Sequence, residues 1–226
     1  MAKVPAKEVL GKFAVALILA LAMTAHARAT DLQQLTRETQ RMSQASQQLT
    51  LVWWMPQVWW EASLSGNTIL TPEGRAQMLA VLDDYTIFAI ARAKLTMATL
   101  DARSKAEMLS NARLEIGGKT IDPIAPENLT PSAQSILVAL KPVFAGILGK
   151  LGQSVEIVIY PGKQGDQKLL DPTKPGSFKY TLYDQTFSWR LPLVSLLPPK
   201  VDRKTGEEFP GNYEFNPYTG EALGTK

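Results

Sequence analysis

Leu51-Val52-Trp53-Trp54-Met55-Pro56-Gln57-Val58-Trp59-Trp60 is the stretch on which the reading of this chain turns, and it holds four of the five tryptophans. Each large aromatic side chain buries on the order of 150–250 Å². At about 25 cal/mol per Å², four rings supply roughly 15–25 kcal/mol of gross burial, an upper bound before chain entropy. Pro56 has no N–H to give a helix and biases Met55 toward extended backbone, so residues 51–55 and 57–62 are expected as two short segments meeting at a bend. In extended backbone, neighbouring side chains point to opposite sides. That sets Trp53 against Trp54 and Trp59 against Trp60. One of each pair enters the core, beneath an N-terminal helix; the other needs a second layer, a partner or a ligand. The four rings are thus core anchors first, and the outward member of each pair is a candidate binding residue.

Outward from this stretch, the N-terminus reads as a secretory signal. Lys3, Lys7 and Lys12 form a basic region, and residues 13–23 are an apolar run too short to span a bilayer comfortably. Ala25-His26-Ala27 and Ala27-Arg28-Ala29 are small-x-small cleavage sites, so residues 1–29 are expected to be removed and the product to be periplasmic or secreted. An uncleaved anchor is the alternative. No later run reaches transmembrane length, and no membrane anchor is expected after cleavage.

Cleavage changes the chemistry. Residues 1–29 hold Lys3, Lys7, Lys12 and Arg28 against Glu8; taking them from the chain's 24 basic and 21 acidic residues leaves 20 of each. A neutral chain has no electrostatic footprint for nucleic acid. The chain has no cysteine, and its one histidine, His26, leaves with the signal. Ser-His and Cys-His nucleophilic machinery is excluded, as are zinc, haem and iron–sulfur sites built on imidazole or thiolate. No disulfide forms, so packing alone must hold the fold.

Residues 30–50 read as a polar N-terminal helix, with Leu32, Leu35, Met42 and Leu49 near a seven-residue spacing. Thr71-Pro72-Glu73 and Thr130-Pro131 are helix starts, each an N-cap followed by proline at the first helical position. Tyr85 to Leu95 reads as a strand whose first half is apolar on both faces and so central. Residues 112–116 and 119–124 flank Gly117-Gly118, a hairpin signal. The helix from Thr130 is strongly apolar and reads as core, with Pro142 expected to kink or divide it. Residues 154–160 are a strand, residues 161–176 a polar loop, and residues 177–183 and 186–191 a second hairpin turning at Asp184-Gln185, in which Trp189 packs across the strands. Hairpins interleaved with helices predict an α+β domain with a mainly antiparallel sheet, curled or sandwich-like, two or three packing helices and a small C-terminal hairpin appendage. The divisions are 1–29 signal, 30–50 helix, 51–197 α+β domain and 198–226 tail.

The tail follows Pro198-Pro199 and carries Asp202-Arg203-Lys204-Thr205-Gly206, then Phe209, Tyr213 and Phe215, then Asn216-Pro217-Tyr218-Thr219-Gly220. This pattern resembles a zinc ribbon that has lost its cysteines. Two Cys-x-x-Cys-Gly knuckles of a ribbon would place their ligands at Asp202, Thr205, Asn216 and Thr219, with Gly206 and Gly220 as knuckle glycines. Those four side chains are a poor zinc set, so no metal is expected; Asp, Asn and Thr hydrogen-bond turn backbones instead. A plain hairpin rich in turn residues accounts for the same sequence. The order of parts across the whole chain, including the Trp-Trp-x-Pro stretch and Trp189-Arg190-Leu191-Pro192-Leu193 before the tail, resembles secreted bacterial proteins without an established activity; the resemblance implies an address and an architecture.

No phosphate-binding glycine loop and no calcium loop is present. The expected function is therefore non-catalytic: binding an envelope or secreted protein, or another cell-envelope component. No cofactor is expected. Candidate contacts are Trp53, Trp54, Trp59 and Trp60, with Tyr213, Phe215 and Tyr218 of the tail. The alternative is a carbohydrate-binding or glycan-hydrolysing protein with tryptophans on the sugar and a carboxylate pair drawn from Glu61, Asp83, Asp84 and Glu156. A third reading makes the N-terminal helix the docking element of a secretion or assembly accessory.

Overall fold

The computed structural model describes residues 29–45, 47–68, 70–95 and 100–225; the expected signal lies outside them except for Ala29. The chain begins with α1 (Ala29–Thr39), β1 (Gln40–Ala45), β2 (Gln48–Trp54), α2 (Gln57–Leu64), α3 (Pro72–Asp83) and β3 (Tyr85–Leu95). It continues with β4 (Leu100–Ala102), α4 (Lys105–Ser110), β5 (Ala112–Ile116), β6 (Lys119–Ile121), α5 (Pro131–Leu148), α6 (Lys150–Gln153) and β7 (Glu156–Pro161). The last part holds β8 (Lys163–Gln164), β9 (Gln167–Lys168), β10 (Gly176–Leu182), β11 (Gln185–Leu191), β12 (Lys200–Val201), β13 (Glu208–Phe209) and β14 (Gly224–Thr225).

Strands β1, β2 and β3 form an antiparallel meander; the far edge of β3 is shared by β7, along Tyr85–Ile90, and β4, along Ala93–Leu95. A second antiparallel sheet runs β11-β10-β5-β6. The two sheets and the helices form an α+β fold with a sheet-dominated core in which no sheet closes into a barrel.

The register explains the tryptophans. Trp53, Ala89 and Ile157 form one row across β2, β3 and β7, and Trp54, Phe88 and Val158 form the next. Adjacent rows face opposite sides of a sheet. Trp53 meets the helices, its ring 5.0 Å from Trp59 and 5.9 Å from Phe144, both edge-on. Trp54 meets the second sheet, 5.0 Å from Phe178, which stacks on Trp189 at 4.8 Å and 5°. Phe88 lies beside Tyr180, Phe178 and Tyr160, and the Tyr160 and Tyr180 hydroxyls are 3.2 Å apart. The sheet is covered on both faces, so both members of the pair are core.

The helix starts fall where the caps place them: Thr71 Oγ1 accepts from Gly74 N at 3.1 Å, and Thr130 Oγ1 from Ala133 N at 3.3 Å. Several expectations need correction. Residues 57–62 are helical, because Pro56 sits outside α2 at its N-cap with ψ 163°, where a missing N–H costs nothing. The expected helix 30–50 is helical only to Thr39; its second half is the β1–β2 hairpin, turned through Gln47 at φ 64°. The seven-residue spacing joined separate elements: Leu35 is buried on α1, Met42 is exposed on β1 and Leu49 pairs with Ala93 in the sheet. Pro142 does not divide α5, since it lies on the helix's exposed side. The second hairpin turns at Tyr183-Asp184, one residue earlier than expected. Tyr183 takes φ 57° there, with the Arg92 guanidinium 4.5 Å over its ring and bonded to Asp184 at 2.5 Å. The polar loop 161–176 contains the small β8–β9 hairpin.

Candidate functional site

The tryptophan stretch offers no surface. Trp53, Trp54, Trp59 and Trp60 are 1–3% exposed, so the second member of each pair finds a covering layer, and its candidate role as an outward binding residue is corrected. Two indole N–H groups instead fasten α1 to the domain. Trp59 Nε1 donates to Thr36 Oγ1 at 2.9 Å, and Trp189 Nε1 donates to the Thr39 carbonyl at 3.2 Å. Glu38 adds a third tie, its carboxylate accepting from the Ser195 amide at 3.0 Å and the Ser195 hydroxyl at 3.0 Å. The N-terminal helix therefore lies on the body, with Leu35 in the core.

The carboxylates weighed for glycan hydrolysis are not brought together as an open pair. Asp83 holds Lys168 at 2.6 Å and shares Lys163 with Asp84; Glu156 holds Lys141 at 3.6 Å; Glu61 lies exposed on α2. Among the described residues no group of three or more His, Cys, Asp or Glu side chains is placed to hold a metal ion.

The tail is built from two loops that repeat the same bonds. In the first, Asp202 Oδ1 accepts from the amides of Lys204 at 2.8 Å and Thr205 at 3.2 Å. Gly206 N then donates to the Asp202 carbonyl at 2.8 Å. In the second, Asn216 Oδ1 accepts from the amides of Tyr218 at 2.9 Å and Thr219 at 3.3 Å, and Gly220 N donates to the Asn216 carbonyl at 2.8 Å. Thr205 Oγ1 and Thr219 Oγ1 each accept from the amide two residues on. Gly206 and Gly220 take φ 73° and 74°, a backbone only glycine adopts without strain. Between the loops Asn216 Nδ2 donates to Asp202 Oδ2 at 2.6 Å, both residues being buried. The Asn216 amide, with the Lys204 N–H next, holds the Asp202 carboxyl below its ordinary range. On this frame Phe209 is buried while Tyr213, Phe215 and Tyr218 are 39%, 58% and 81% exposed; the rings of Tyr213 and Tyr218 lie 6.5 and 6.4 Å from Phe209. The tail aromatics proposed from sequence are thus a surface group.

A second surface feature was not visible in the sequence. A cavity of about 810 Å³ lies between α4, the segment 123–129, α5 and β7. The helix α5, read as core, buries one face through Ala139, Leu140, Val143 and Phe144, and leaves Val138 and Ile147 exposed. By length and composition alone it could cross a membrane, which corrects the expectation that no later run reaches transmembrane length. Helical spacing showed that α5 is apolar; only the fold shows which side is covered.

No protein-family model, curated protein or solved structure matches the chain.

Proposed function

We propose that this is a protein secreted to the periplasm or beyond, which acts by binding a protein or another envelope component, with the tail as its contact surface. Tyr218, at 81% exposure, carries this reading, since a large ring held in water on an ordered frame contributes nothing to the core and is the type of residue that anchors interfaces. Tyr213 lies beside Tyr218 across their shared neighbour Phe209, and Phe215 is a further exposed ring of the tail. What supports a secreted address is the basic region, apolar run and paired small-x-small sites of residues 3–29.

A ribbon ancestry for the tail is part of the same proposal. What supports it is the repeat of one bonding scheme about Asp202 and Asn216, at the positions where a ribbon's knuckles begin, with the Asn216–Asp202 bond standing between the loops where a ribbon has its metal. Such a tail is a metal-free platform for presenting aromatic rings.

The test is a pull-down from the envelope fraction with the wild-type chain, Tyr218→Ser and Phe215→Ser. A component captured by the wild type and lost with both variants, whose near-ultraviolet spectra remain native, is the expected result. A component retained by both variants would remove the tail from the interface.

A further inference from the structure

The outer edge of β7 is an open strand edge set in an apolar groove. Met55 N donates to the Ile87 carbonyl at 3.0 Å, so odd-numbered residues of β3 bond toward β2 and the even ones, Thr86, Phe88 and Ile90, toward β7. Their partners are Tyr160, Val158 and Glu156. Ile157 and Ile159 therefore direct their backbone groups away from the sheet. Among the described residues this outer edge receives one backbone bond, from Ile124 N to the Ile159 carbonyl at 2.7 Å. The N–H and C=O of Ile157 and the N–H of Ile159 face the groove. Buried or half-buried peptide groups of this kind are costly to leave unmade, and exposed strand edges are templates for another strand.

The groove's shape selects what completes it. Leu109 of α4 stands on one bank, and Leu137 and Val138 of α5 on the other, with Ile157 on the strand between. Val138 is 68% exposed. An edge recessed between two helices excludes the edge of a second folded sheet, whose own flanking elements would collide with the banks, but admits a lone strand. The rim charges are of both signs, Lys105 and Lys141 with Glu127 and Glu156, so net charge selects no ligand. Backbone pairing and apolar lining do.

We propose that this groove binds an extended, apolar segment of a partner protein, which adds as a strand to the outer edge of β7 beside Ile157 and places alternate apolar side chains against Leu137 and Val138. At ~3.4 Å per residue a segment of roughly three residues spans the part of the edge around Ile157 that Ile124 leaves open. This site is separate from the tail surface and does not depend on it.

The experiment is selection of a random-decapeptide display library on the purified chain, counter-selected on Val138→Glu, followed by synthesis of the enriched peptides. Val138 is exposed, so this variant keeps the fold; its circular dichroism spectrum checks that. The expected result is peptides with alternating apolar residues whose binding weakens at least tenfold with Val138→Glu and at least tenfold on N-methylation of alternate peptide amides. The Ile157 and Ile159 amides should become protected from hydrogen exchange when peptide is bound. No enrichment over the counter-selected background, or binding indifferent to N-methylation, overturns the proposal. So does self-association or vesicle binding of the chain that Val138→Glu abolishes, since the groove would then serve a second copy or a lipid surface.

Discussion

Asn216 Nδ2 donates to Asp202 Oδ2 at 2.6 Å, and this bond joins two loops that each already satisfy their own turn amides. It is the one side-chain link between the paired first positions of the tail. Asp202→Asn tests it cleanly. An asparagine keeps the acceptor that the Lys204 and Thr205 amides need, but faces one amide group with another. The expected outcome is faster exchange of the Gly206 and Gly220 amides with unchanged exchange in β2 and β3, read by hydrogen-exchange NMR. Equal protection in the variant would show that the link carries no stability.

Acid should have the same effect. The Asn216 amide and the Lys204 N–H lower the Asp202 carboxyl from its ordinary 3.8. A depressed native value means the stabilisation is present above 3.8 and is lost as pH falls through the lower folded value. The tail is expected to hold its Gly206 and Gly220 amide shifts to below pH 3.8 and to lose them at lower pH. In Asp202→Asn the shifts should not move with a carboxyl titration there.

At the other end of the scale, the Tyr160 and Tyr180 hydroxyls share one bond in the core. Burial pushes the Tyr160 hydroxyl up to about 12, and burial pushes Tyr180 well up also. A raised native value makes the stabilisation complete below the unfolded value near 10 and removes it as pH rises through the folded one. Urea midpoints should therefore fall from pH 10 upward. Replacing both residues with Phe removes a donor and an acceptor together, which is close to neutral at pH 7, and should flatten that alkaline decline. A decline of the same steepness in the double variant would place its cause elsewhere.

All five tryptophans are 1–3% exposed, so acrylamide should quench native emission only weakly and quench strongly in urea. Trp54→Ala should cost about 3–5 kcal/mol, as for large aromatic truncations in packed cores, because the ring loses Phe178 on the second sheet. Strong quenching of the native state would mean that one covering layer is absent in solution.

The parts of this fold that were legible in sequence are those fixed by near neighbours. Thr71-Pro72 and Thr130-Pro131 carry their caps within three residues, Tyr85–Leu95 spells its own strand, and Gly206 and Gly220 mark positive φ. What was not legible depends on partners far along the chain. Leu49 reads as a helical stripe until Ala93 pairs with it, and Trp54 reads as a ring in need of a partner until Phe178 arrives. The tail aromatics could be proposed because a polar, turn-rich segment has little core to hide them. The open edge of β7 could not, because nothing local to residues 156–161 says that β3 alone pairs with it among the described residues.

Two glycines near the end of the apolar helix should answer alanine in opposite ways. Gly152 lies on α6 where it crosses α5, and a Cβ there would stand 1.8 Å from the Phe144 carbonyl oxygen and 2.4 Å from its carbon. Both obstacles are backbone, so no side chain can swing aside and α6 must lift from α5. Overpacking a core typically costs 1–3 kcal/mol, and Gly152→Ala should reach about 3 kcal/mol or more. Gly146 sits within α5 with nothing within 4 Å of its would-be Cβ. Alanine there gains helix propensity of about 0.8–1 kcal/mol. Urea unfolding of the two variants should therefore move the midpoint down for Gly152→Ala and up for Gly146→Ala. If Gly152→Ala unfolds at the wild-type midpoint, α6 does not press on α5 as described, and the burial of Leu151 and Phe144 beside it would have to be revised.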